Sequence, residues 1–147
     1  NRRLVVMKTS LQLSLAMSLI AAATPALAGS QWAQSISRGM TVFSYAEDSY
    51  SITLACDPDR VFGDKSNATL SVQFVKHPAP AQVVLLAQSG EQAAFTVENG
   101  VVSEFKADEE QWAKMVAIIG EGGDYAFVTS QDSLQLSGME PIPDMSC

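Results

Sequence analysis

Apolar and polar positions alternate with period two through much of the chain. In Tyr50–Cys56 the side chains of Tyr50, Ile52, Leu54 and Cys56 fall on one side and Ser51, Thr53 and Ala55 on the other, the pattern of a strand with one buried face. Ala68, Leu70, Val72 and Phe74 repeat it, with Ser71 and Gln73 turned outward. Residues 40–46 predict an earlier strand, which follows a short lead containing Trp32 and turns through Glu47, Asp48 and Ser49. Pro78 and Pro80 end the run at Phe74, because proline cannot donate to a ladder and restricts the residue before it. Residues 83–88 form a short apolar run that predicts a strand buried on both faces, closed by Ser89, Gly90 and Glu91.

Asn99-Gly100 is the preferred pair for a two-residue hairpin turn, since both central positions need positive φ. It predicts that residues 93–98 and 101–106 pair with one another. That register sets Val97 against Val102 and Phe95 against Glu104, mixing apolar and charged groups on one face, and so calls for a bulge. A change of period follows. Trp112, Met115, Val116 and Ile119 recur at i, i+3, i+4 and i+7, one stripe of a helix over residues 108–119. Asp108 is placed to cap it, with Gln111 as the capping-box partner, Glu109 and Glu110 in the first turn, and Gly120 at the end. Two more strands, at residues 125–129 and 134–137, are joined through Gln131 and Asp132. The expected fold is mainly β, a small sandwich or open barrel of about seven antiparallel strands with one packed helix and one disulfide.

The first 28 residues stand apart from this pattern. Arg2, Arg3 and Lys8 give a basic start, residues 11–23 an apolar run, and Ala26-Leu27-Ala28 a site for signal peptidase just after Pro25. An upstream extension over residues 1–6 plus a cleavable signal is expected, with residues 29–147 as a single β-rich domain. The apolar run is shorter than the roughly 20 residues that a spanning helix needs, so no integral membrane segment is expected after cleavage.

Composition then narrows the function. The chain has 147 residues, 47% hydrophobic and 17% charged, which excludes an acidic disordered tail. Cleavage would remove three of the nine bases and none of the sixteen acids, leaving six against sixteen and a net charge of −10. Nucleic acid is excluded as a partner on that balance, because Lys and Arg carry such binding. Cys56 and Cys147 both survive cleavage, and an even count in an exported chain predicts one disulfide between them.

Candidate chemistry is sparse. His77 is the only imidazole, and no Gly-x-Ser-x-Gly elbow accompanies it. Asp57, Asp59 and Asp64 cluster after Cys56 in an oxygen-rich loop, a weak calcium site without EF-hand spacing. Asp57-Pro58-Asp59 is also a good turn sequence, and that reading is preferred. Trp32 and Tyr45, with Tyr50, are read as core and rim residues or as an aromatic binding surface. Asn67-Ala68-Thr69 fits a glycosylation sequon, a chance match in a bacterial setting. No cofactor motif is found.

The layout of leader, strand ending in Cys and distant partner Cys resembles that of small exported proteins of Gram-negative bacteria, and implies a periplasmic or secreted location. The leading functional expectation is a non-enzymatic binding or accessory module of the envelope, with a protein or envelope component, cationic ones included, as partner. Asp57, Asp59, Asp64, Trp32 and Tyr45 are its candidate contacts. The alternatives are an acidic inhibitor of a cationic enzyme such as a lysozyme, using the loop at 57–64 or 121–124, and a hydrolase built on a carboxylate pair.

Overall fold

The structure, a computed structural model, describes residues 31–147. The expected leader lies outside the described residues. Nine strands follow in order: β1 (Ala33–Ser37), β2 (Met40–Glu47), β3 (Tyr50–Cys56), β4 (Thr69–Phe74), β5 (Gln82–Ala87), β6 (Gln92–Thr96), β7 (Val101–Ser103), β8 (Gly123–Val128) and β9 (Ser133–Met139). A 3-10 turn at Glu104–Lys106 and helix α1 (Glu109–Glu121) lie between β7 and β8. The strands form two antiparallel sheets, β1-β2-β3-β4-β7 and β6-β5-β8-β9. One face of each sheet enters a shared core, Phe43, Ile52, Leu54, Leu70 and Val72 from the first and Val83, Leu85, Phe95, Phe127 and Leu136 from the second. The mainly β architecture, the packed helix and the Cys56–Cys147 disulfide are as expected, with more strands than the period-two pattern predicted.

The strand that the pattern missed is β1. Arg38 and Gly39, both at positive φ (52° and 82°), make a two-residue turn that folds it onto β2 with Ser37 opposite Met40. All five of its residues are exposed, so it carries no apolar alternation to detect. The run at residues 83–88 needs correction as well. Val83 and Leu85 are buried, but Leu86 is 40% exposed, so β5 buries one face and leaves the other to solvent.

The Asn99-Gly100 turn forms, with φ of 52° and 80° and a bridge from Glu98 to Val101. Its strands then part: β6 pairs with β5 in one sheet, and β7 pairs with β4 in the other. The conflict in the simple hairpin register is thereby avoided. Phe95 enters the core edge-on to Trp112, with ring centroids 6.2 Å apart, and residues 104–106 leave the strand as a 3-10 turn, in which Glu104 accepts a hydrogen bond from the Ser66 hydroxyl.

Helix α1 starts as predicted, with Asp108 Oδ1 accepting from the Gln111 amide at 3.0 Å. The reciprocal half of the capping box is absent among the described residues. Instead, Gln111 Oε1 accepts from the Ala94 amide of β6 at 2.9 Å, so the helix satisfies a donor on the sheet's outer edge. Trp112, Met115, Ile118 and Ile119 are buried, whereas Val116 is half-buried. The helix runs past Gly120 and closes at Gly122, which has φ of 72° and donates to the Ile119 carbonyl. A Cβ at Gly122 would stand 2.6 Å from the Met139 carbonyl oxygen, so close approach of β9 demands glycine there.

Candidate functional site

The loop at residues 57–67, between β3 and β4, is organised by one carboxylate. Asp57 is buried, at 3% exposure. Its Oδ1 accepts from the Val61 amide at 2.9 Å, and its Oδ2 accepts from the Asn67 amide at 2.9 Å and from Asn67 Nδ2 at 3.2 Å. The Val61 and Asn67 main-chain N–H groups hold its carboxyl below the usual carboxylate range, outweighing the opposite effect of burial. Asp59 and Asp64 remain exposed on the same loop. Turn chemistry therefore accounts for Asp57, and no group of three or more His, Cys, Asp or Glu among the described residues is arranged to hold a metal ion. Asn67, the sequon residue, uses its amide nitrogen on Asp57 and on the Lys65 carbonyl.

With the acid turned inward, the loop turns apolar groups outward. Phe62 is 59% exposed, and Phe105, on the neighbouring 3-10 turn, is 54% exposed. Between this loop, the 3-10 turn and the outer face of α1 lies a groove of about 720 Å³. Phe105, Ala107, Trp112, Ala113, Val116 and Ala117 supply its apolar lining. Cys147 lies at its edge, held to the body by the bond to Cys56, and its carbonyl accepts from Trp112 Nε1 at 3.2 Å. The rim is polar: Arg60 donates to the Asp64 carbonyl at 2.9 Å, and Lys65 Nζ stands 4.3 Å from the Phe105 ring centroid. The charged residues of the lining are Arg60, Glu104 and Glu109, one base against two acids.

The other candidates are engaged elsewhere. Trp32 is buried and donates from Nε1 to the Tyr125 hydroxyl at 2.8 Å. Burial pushes Tyr125 up to about 12. Tyr45 stacks on buried Tyr50 at 6.2 Å and meets Trp32 edge-on at 6.1 Å. These three rings close the core and do not present an open aromatic surface. In the second acidic stretch, Asp124 Oδ1 accepts from the Gly138 amide at 2.7 Å, which leaves Glu121 exposed at the end of α1.

His77 Nδ1 meets Asp132 at 2.8 Å, the carboxylate-to-imidazole half of a hydrolase triad. No hydroxyl hydrogen-bonds its other nitrogen among the described residues. Two grooves each contain a pair of acids. Beside β6 and β7, Glu98 pairs with Lys106 and Asp108 caps α1. In the larger groove, Glu104 is bonded to Ser66, and Glu109 is the second acid of the lining.

The groove brings together the loop at residues 57–67, the 3-10 turn, α1 and Cys147, which are distant in sequence, so no local pattern announces it. No described helix is long and apolar enough to cross a membrane. Compared with family models, curated proteins and solved structures, the chain matches none.

Proposed function

We propose that this chain is an exported binding module of the bacterial envelope, without catalytic activity of its own, that takes an apolar peptide segment of a partner protein in the groove beside α1. The observation that carries this reading is an open groove lined by Phe105, Ala107, Trp112, Ala113, Val116 and Ala117, with the Phe105 ring exposed. A volume of about 720 Å³ suits a ligand. Covering one exposed Phe side chain is worth roughly 1.5 to 3 kcal/mol. The side chains of Phe105, Trp112, Ala113, Val116 and Ala117 in the lining suit an apolar segment. The Cys56–Cys147 bond supports export, since such bonds persist in oxidising compartments.

The test is retention of envelope proteins on the immobilised protein, followed by titration of the purified partner against Trp112 fluorescence. Phe105→Ser and Val116→Asp should weaken binding by roughly tenfold or more, with little dependence on salt. Equal binding by both groove variants would overturn the reading. Steep loss of binding with salt, abolished by Asp59→Asn and Asp64→Asn, would support the inhibitor of a cationic enzyme instead.

A further inference from the structure

Each sheet ends in two edge strands, and three of the four edges are blocked. The outer edge of β6 gives its Ala94 amide to Gln111 of α1. β7 is three residues long and passes directly into the 3-10 turn. β9 is bulged where its register shifts against β8, with Gly138 at φ 61°. Short length, cover and bulges are the usual devices that stop an edge from recruiting another strand. Among the described residues, β1 has none of them. It is five residues long, exposed throughout, and contains no charge and no proline.

The hydrogen-bond pattern shows which of its main-chain groups are available. Ser37 faces Met40 across the two-residue turn, so Ser37, Ser35 and Ala33 bond to β2, and the alternation leaves the groups of Gln34 and Ile36 pointing away. Ile36 is 78% exposed although it lies opposite Thr41, on the sheet face that carries buried Phe43. An apolar side chain on the core-facing side thus stays open, uncovered by any described residue.

We infer that β1 is the contact strand of a two-fold dimer, in which two copies pair their β1 strands antiparallel about Ser35. Charge is what selects a second copy as the occupant. With Ser35 on the axis, Ala33 faces Ser37 and Gln34 faces Ile36, the register in which all five residues overlap. Arg38 of one copy then lies opposite Trp32 of the other, next to Gln31, whose Nε2 donates to Glu140 Oε2 at 2.5 Å. The axis makes this base-to-acid approach twice, as an isologous contact must. Arg38 is exposed and has no ion-pair partner among the described residues. Among the described residues, six bases against sixteen acids set most faces to repel their own kind, and the uncharged β1 edge is exempt.

Sedimentation equilibrium of the purified protein across a concentration series should give a dimer. Ile36→Pro removes an N–H that points away from β2, and should give a monomer with an unchanged circular dichroism spectrum. Ile36→Lys serves the same purpose if the proline variant does not fold. Ser35→Cys should cross-link the two copies through residue 35, located by peptide mass spectrometry. Arg38→Glu should weaken the dimer by roughly tenfold, and Glu140→Lys added to it should restore association. A monomer at every concentration would overturn the inference. So would a dimer that persists in both Ile36 variants and does not cross-link at residue 35, or an edge occupied only when a different protein is present.

Discussion

Two aspartates tie down loops at opposite ends of the β3–β4 pair, and they do so in different physical regimes. Asp57 follows Cys56, is buried, and accepts from three N–H donors of its own loop. Asp132, in the β8–β9 turn, meets His77 beyond the far end of β4, where the two side chains are 22% and 40% exposed. The contact distances are nearly equal. What differs is solvent: water competes for the His77 contact and cannot replace the three donors around Asp57 without opening the loop. The first end has in addition the Cys56–Cys147 bond, which spans 91 residues.

The largest effect should come from that bond. Cys56→Ala with Cys147→Ala should lower stability by roughly 4 to 5 kcal/mol in the chain-entropy model, measured by urea unfolding. It should also release Cys147 from Trp112, opening the buried indole to water and red-shifting the tryptophan emission. A loss confined to a few tenths of a kcal/mol would mean that α1 and the core hold the tail without sulfur.

Asp57→Asn should come next. The substitution places an amide donor where Asn67 already offers two, so the loop loses acceptors as well as charge. Its pH dependence has a definite sign. The folded carboxyl titrates below the ordinary value of 3.8, so the stability it contributes is present above pH 3.8 and is lost as pH falls through the folded value. The wild type should therefore exceed Asp57→Asn most at neutral pH, and the gap should narrow in acid. A gap that stays constant from neutral pH into acid would show that the side chain's shape, and not its charge, organises the loop.

Asp108 tests the middle of the scale, being exposed but bonded to a single main-chain donor at the start of α1. Asp108→Ala should cost about 1 kcal/mol. Because α1 also supplies Gln111 to β6, hydrogen exchange at Ala94 should quicken in the same variant.

This gradation was partly legible in the residues. The alternation in Tyr50–Cys56 and the i, i+3, i+7 spacing of Trp112, Met115 and Ile119 specified elements that the structure contains, because burial on one face is written directly into such patterns. The Asp108 cap and the disulfide were legible for the same local or arithmetic reasons. β1 was not, since a strand exposed on both faces has no hydrophobic period. Nor was the parting of β6 from β7, although the clash of Phe95 with Glu104 marked the simple hairpin as wrong. The groove escaped for a third reason. Its lining comes from the loop at residues 57–67, the 3-10 turn, α1 and Cys147, which only three-dimensional closure brings together.

The smallest effect should be at the exposed end. His77→Ala removes the contact to Asp132 yet leaves the β8–β9 turn held by its own bonds, with Thr129 Oγ1 accepting from the Asp132 amide at 3.0 Å and the Thr129 amide donating to the Asp132 carbonyl at 2.8 Å. An exposed ion pair of this kind is worth roughly 0.2 to 1 kcal/mol and weakens as salt is added. Urea unfolding of His77→Ala should fall within that range, and the difference from wild type should shrink in high salt. Asp132→Ala should cost no more than His77→Ala if the pair is all that the carboxylate contributes, because the turn bonds use only the main chain of residue 132. A loss from His77→Ala as large as that from Asp57→Asn would break the comparison, since it would mean that solvent exposure does not set the strength of these two ties.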